Sequence, residues 1–383
     1  MRRRRGFWLL MAMASLLGTL GLAAVAVCLT TGCSTLGYYA QATGGHLDLL
    51  QRARPVAQAV ADPATPPALR QRLELSQRLR DFAVTELKLP DNSSYRRYAD
   101  LQREAVVWNV VAAPELGLKL KTWCFPVLGC VGYRGYFQRE PADALAAQLK
   151  AEGWEVMVYG VPAYSTLGFS NWVGGDPLLN TFIQWPEAEL ARLLFHELAH
   201  QVVYAEGDTL FNESFATAVE RIGIAQWLAT HASEQARAAA ATSEARRSAF
   251  RTLTRATRAR LGEIFDLKQA VTPDAIKIDA MKSVAMQSFR AEYAALRERW
   301  LRPQDGTAPL ASTAQVAGYD RWVARANNAS FAAQAAYDDL VPAFEALHAR
   351  EGGDWQRFYD AVRQLARQPQ PARHAALRAL LPR

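Results

Sequence analysis

Two histidines four residues apart constrain this chain more than any other feature. They are His196 and His200, in Phe195-His196-Glu197-Leu198-Ala199-His200-Gln201. On a helix both imidazoles leave the same face. That spacing lets two neutral nitrogens reach one tetrahedral cation at about 2.0–2.1 Å. Glu197, beside the first histidine, then holds its carboxylate over water at the metal instead of on the metal. A catalytic zinc usually takes three protein ligands, so a third must come from elsewhere. The candidate is Glu213, thirteen residues after His200, in Phe211-Asn212-Glu213-Ser214-Phe215-Ala216-Thr217-Ala218-Val219-Glu220. The chain must therefore end one helix, turn at Gly207-Asp208 and pack a second helix back against the first. Asn212 or a neighbour is expected to start that second helix. Glu220, two turns beyond Glu213 on the same face, is expected to hold a ligand histidine.

Only six histidines occur in 383 residues, and two of them flank Glu197, which weighs against a helix with idle histidines. The two stretches resemble the gluzincin metallopeptidases, in which a Glu from an Asn-Glu-x-Phe-Ala type helix is the third zinc ligand. From about Gly32 to about Leu365 the chain resembles a family of bacterial "putative aminopeptidases", envelope proteins with this motif pair behind a lipoprotein-like signal. The spacer from His200 to Glu213 is shorter than in thermolysin-like or aminopeptidase-N-like enzymes. The resemblance implies one Zn2+ per chain on His196, His200 and Glu213, with Glu197 as base and Asn212 and Glu220 supporting the ligands. The fold expected is α+β, mostly α: a gluzincin-like zinc-peptidase core, a small mixed sheet over the H-E-x-x-H helix, and a helical C-terminal bundle.

The N-terminus reads as a targeting signal. Arg2 to Arg5 are basic and Phe7 to Leu29 carry no charge. Thr30-Thr31-Gly32-Cys33 resembles a lipobox, which makes Cys33 the expected lipidation site and membrane attachment. The rival is an uncleaved signal anchor, because 23 largely apolar residues can span a bilayer. Losing residues 1–32 lowers the formal net charge from +7 to +3. Nothing in that balance suggests a nucleic-acid surface. Cys124 and Cys130 bracket a Pro/Gly-bearing turn and read as one disulfide in an oxidising periplasm, against two reduced core thiols.

Leucines near helical spacing fill 36–87, broken by Pro63, Pro66 and Pro67. Short strands are expected at 106–111, 131–137 and 154–159, with a helix at 142–152. A substrate-pairing edge is expected at 160–168, where Pro162 removes one ladder donor. The resembled family carries the same Ala-Tyr-Ser-Thr-Leu-Gly run before the zinc helix, so Ala163, Tyr164 and Ser165 become candidate substrate contacts. Later helices are expected at 216–230, 233–262, 272–300, 330–349 and 354–366, with 301–317 a connection. The organisation expected is a signal peptide at 1–32, a helical segment at 33–95, a metallopeptidase core at 96–232 and a helical subdomain at 233–383.

The function expected is zinc-dependent peptide-bond hydrolysis by an aminopeptidase in the bacterial cell envelope, lipid-anchored and facing the periplasm. Its partners are a peptide or protein substrate and the membrane. Tyr293, Tyr319 and Tyr337 are candidates to stabilise the oxyanion. Tyr337 is preferred because Asn327-Asn328 and the residues from Ala336 to Pro342 look like the family's second motif region. No acid lies in 160–168 to grip a substrate amine, so the word aminopeptidase comes from the resemblance, and an endopeptidase is the rival. A non-catalytic envelope scaffold is a second rival.

Overall fold

Proline, with no N–H and a fixed φ, starts helices and cannot continue them. It divides the N-terminal region in that way. The computed structural model describes residues 33–125, 129–163, 166, 174–267, 275–303, 310–334 and 340–381. Helix α1 spans Cys33–Arg52, α2 Val56–Ala61 and α3 Pro67–Thr85, with Pro67 in the first turn of α3. Leu73, Leu79, Phe82 and Ala83 form the buried stripe of α3. Arg80 on that stripe is fully buried and donates to the carbonyls of Pro90 (2.6 Å) and Ser94 (3.1 Å). A guanidinium paired in this way ties the following loop to the helix.

Two-residue strands β1 (Arg54–Pro55) and β8 (Leu178–Leu179) flank β2 (Arg97–Ala99) in a small mixed sheet. The main sheet has the order β6–β3–β7, all antiparallel, with β3 (Val107–Pro114) central, β6 at Arg134–Tyr136 and β7 at Trp154–Val161. The expected strand at 131–137 is divided. Its first part, β5 (Gly129–Val131), pairs with β4 (Trp123–Phe125), whereas β6 turns to pair with β3. A Cys124–Cys130 disulfide joins β4 to β5.

Helix α4 (Arg139–Ala151) leads into β7, and α5 (Glu187–His200) and α6 (Thr209–Thr230) follow. Then come α7 (Glu234–Asp266), α8 (Ala275–Leu301), α9 (Thr313–Arg325), α10 (Asn328–Ala333), α11 (Val341–Arg350), α12 (Trp355–Ala366) and α13 (Gln370–Arg378). Helix α6 begins before the expected residue 216 because Asp208 caps it. The expected connection 301–317 contains the start of α9, where Ser312 and Gln315 form a capping box. The expected helix 330–349 is two helices, and Pro342 lies in the first turn of α11.

The main sheet is covered on both faces. Val110, Ala112 and Val156 meet Ala142, Ala146 and Leu149 of α4. On the other face Val111, Ala113 and Met157 meet Ala329 and Ala332 of α10. The largest core joins α1–α3, α5 and α6 to the returning helices α11–α13. A second core joins α7, α8 and α9 with Phe331 of α10. No helix among the described residues is long and apolar enough to cross a membrane.

Candidate metal centre

Helix α5 starts after Pro186, and Glu187 and Glu189 in its first turn complement the helix dipole. Its stripe of Ala191, Leu194, Phe195, Leu198 and Ala199 is buried in the main core, which fixes the roll of the helix. That roll brings His196 and His200 to one side, with His200 almost fully buried. The helix ends at His200, and Gly207 takes a φ of +73°, a conformation suited to glycine.

Asp208 then caps α6, accepting from Phe211 N at 3.1 Å. Its carboxylate, 1% exposed, also accepts from His374 Nε2 of α13 at 2.8 Å. The Asn212 side chain donates to Ala205 O and accepts from Ala205 N, both at 2.8 Å, so it clamps the loop between the two helices. Glu213 therefore enters from a helix anchored at its first turn.

Three donor atoms converge. His196 Nε2 lies 3.2 Å from His200 Nε2 and 3.2 Å from Glu213 Oε2, and His200 Nε2 lies 3.7 Å from Glu213 Oε2. A tetrahedral cation with bonds of about 2.0–2.1 Å has ligand–ligand edges of about 3.3–3.4 Å. The triangle brackets that value, so the three atoms are spaced as ligands of one such cation would be. This is the only cluster of three or more such donors found among the described residues. The donor set of two imidazoles and one carboxylate fits zinc.

The electrostatics agree with a cation there. Burial works against charge on His196, but its hydrogen bonds to the Glu213 and Glu220 carboxylates outweigh that and raise its pKa well above 6.5. Burial likewise opposes ionisation of Glu213, yet His196 and His200 hold it well below the ordinary carboxylate range. Two carboxylates that attract a proton onto His196 also favour a divalent ion that displaces it.

Glu220 Oε2 accepts from His196 Nδ1 at 3.0 Å, which leaves Nε2 as the donor toward the centre. Glu220 is held in turn by Arg192 of α5. Arg192 also reaches Glu244 of α7 at 3.0 Å and Glu189 at 3.6 Å. Arg247 pairs with Glu189, and Arg251 with Glu244 at 2.8 Å. The carboxylate behind His196 thus ends a charge network across three helices.

Glu197 is half-buried and makes no hydrogen bond or ion pair among the described residues. Sequence reasoning missed the tyrosines nearest this centre. Tyr95 is 1% exposed, its hydroxyl has no partner among the described residues, and burial and the Glu197 charge push its pKa well above 10. Its φ of +63° is uncommon for a residue with a side chain, and no sequence signal announces it. Desolvation, then Tyr159 and Glu213, push Tyr133 up to about 12, and desolvation and Glu213 raise Tyr204, although the two residues keep 42% and 51% of their surface exposed.

Tyr293 and Tyr319 lie in the second core, where Tyr293 donates to Asp320 at 2.6 Å and Tyr319 packs on Phe250 and Trp300. Ala163 is half-buried against the main core. Residues 1–32, the Cys33 side chain, Tyr164, Ser165 and Tyr337 lie outside the described residues.

No curated protein and no solved structure matches the chain. The family model described as "putative aminopeptidase" matches residues 37–377, from within α1 to within α13. That span takes in both metal-site helices and both cores, so the chain belongs to the putative aminopeptidase family.

Proposed function

We propose that the chain is a zinc-dependent aminopeptidase of the bacterial envelope, with one ion held by His196, His200 and Glu213. The observation that carries this reading is the triangle of donors, with edges of 3.2, 3.2 and 3.7 Å, beside the Glu197 carboxylate, which has no hydrogen-bond or ion-pair partner among the described residues. A zinc ion held there would supply Lewis-acid polarisation of a peptide carbonyl and acidification of water. Glu197, one residue after His196 and without a side-chain partner among the described residues, would serve as the base that holds a proton at its carboxylate between the attacking water and the leaving amine. Glu220 keeps His196 oriented through Nδ1. Tyr133 and Tyr204, whose phenols feel the Glu213 charge, and Tyr95, whose phenol feels the Glu197 charge, are the candidates for donating to a developing oxyanion. The family description supports the aminopeptidase part of the reading. The basic and apolar leader ending at Cys33 supports export and lipid anchoring.

The test pairs metal analysis with Glu197→Gln. The expected result is about one zinc per wild-type chain and removal of single residues from the free amino end of a peptide. The variant is expected to keep its zinc while its rate falls about 10²–10⁴-fold. A chain that takes up no zinc, or a variant as active as wild type, would refute the reading.

A further inference from the structure

β7 is an edge strand, and its outward groups follow from the ladder. Ala112 O of β3 accepts from Lys121 N at 2.8 Å, so Ala112 turns away from its β7 partner Val156. The two sides of an antiparallel strand alternate residue by residue. Val111 and Ala113 therefore bond to β7 through Met157 and Glu155, while Val156, Val158 and Gly160 point their backbone groups out of the sheet.

Two of those three residues are engaged. Asn327 Nδ2 donates to Val156 O at 3.0 Å, and Arg325 donates to Val158 O. Asn327 also caps α10 through Oδ1, 3.1 Å from Ser330 N. Asn328 N donates to Glu155 Oε2 at 2.6 Å, and Lys282 joins the same carboxylate. The α9–α10 joint is thus pinned along the first half of β7. At the far end Pro162 has no N–H, and its carbonyl accepts from Thr181. Among the described residues, Gly160 is the outward residue of β7 whose N–H and C=O both stay open. A Cβ there would lie 2.7 Å from the Ala105 Cβ, so the strand passes this point only as glycine.

The strand end beyond the open position runs onto the core that carries the candidate metal centre. Val161 and Ala163 pack on the core that carries α5 and α6.

We propose that this edge admits short peptides only, which rests on the peptidase reading above. Substrate backbone pairs with β7 at Gly160, and the Arg325–Asn327 joint stops it about 6.6–6.8 Å further on, two residues along the strand. Antiparallel pairing, used by both ladders of this sheet, sends the C-terminal direction of the peptide toward Val158. There the exposed Arg325 guanidinium meets a free α-carboxylate. The substrate class is a short peptide with a free C-terminal carboxylate.

Peptides of about three to twelve residues with a common N-terminal sequence, each as free acid and as amide, test this. The zinc-loaded chain is assayed for hydrolysis, and the zinc-free chain for binding by calorimetry. Both kcat/KM and affinity are expected to fall at least about tenfold with length, and the shortest acid to exceed its amide by about fivefold, one hydrogen bond's worth. Arg325→Ala with Asn327→Ser should remove both differences, because serine keeps the helix cap but is too short to reach Val156. Arg325→Ala alone, at an exposed side chain, must lower the acid-to-amide ratio. Length-independent binding and hydrolysis by the wild-type chain, or ratios unmoved in both variants, would overturn the proposal. A chain that hydrolyses nothing yet shows the length limit in binding would overturn the peptidase reading and leave this one standing.

Discussion

Replacing Arg192 with methionine isolates the charge network behind the metal centre. Glu220, 9% exposed, has two partners, Arg192 on one oxygen and His196 on the other. Arg192 is 17% exposed, so the pair is shielded from water. Removing one member of a buried pair costs about 3–5 kcal/mol, because the remaining charge stays buried without its counter-charge. Glu220 keeps His196, and the Arg192 contact to the 44% exposed Glu244 counts for little, so about 3 kcal/mol is expected. Urea unfolding of the metal-free protein, followed by circular dichroism, measures the loss. Arg192→Met with Glu220→Gln should recover most of it, since no uncompensated charge then remains. The pH dependence has a definite sign. Burial opposes ionisation of Glu220, but His196 and Arg192 lower its pKa below 4.5 in the fold. Its stabilisation is present above that value and lost as pH falls through the lower folded pKa, so the deficit of the single variant should shrink in acid. A single variant within about 1 kcal/mol of wild type at neutral pH, or a double variant no better than the single, would refute the reasoning.

Three further outcomes are expected. Glu220→Gln, which weakens the acceptor on His196 Nδ1, should lower zinc affinity about 10–100-fold in chelator competition. His374→Ala strips the buried Asp208 of its 2.8 Å partner and leaves Arg373 at 3.6 Å, so unfolding free energy should fall by about 1–3 kcal/mol. Burial of His348 beside Trp355 lowers its pKa, so the unfolded chain binds the proton more readily. Wild-type stability should therefore rise with pH through the window just below 6.5 more steeply than that of His348→Gln, which thermal melts at several pH values will show.

Part of the site is local in sequence, and that part was legible. His196 and His200 announce their common face by spacing alone, and Glu213 sits in a helix that a short loop must return. What escaped is what tertiary packing assembles. Arg192, Glu220 and Glu244 meet from three helices, and neither helix period nor motif links positions 28 and 52 residues apart. Tyr95 feels the Glu197 charge from a loop of positive φ, where Tyr95 N donates to Asp176 O at 2.6 Å. In the fold, the alternation in 131–137 is compatible with one strand, but two different partners divide it. The start of α9 did have a readable signal, the Ser312-to-Gln315 capping box, hidden beside a stretch rich in proline and glycine.

The bond from His374 to Asp208 spans 166 residues and joins the last helix to the turn that delivers the third metal donor. Without α13 the chain holds every candidate ligand, yet the buried carboxylate at the head of α6 keeps only its bond from Phe211 N and lacks the His374 side chain. Seating of the candidate third donor is then coupled to docking of α13. A cut before residue 373 would remove that support from a distance, with every candidate metal donor untouched.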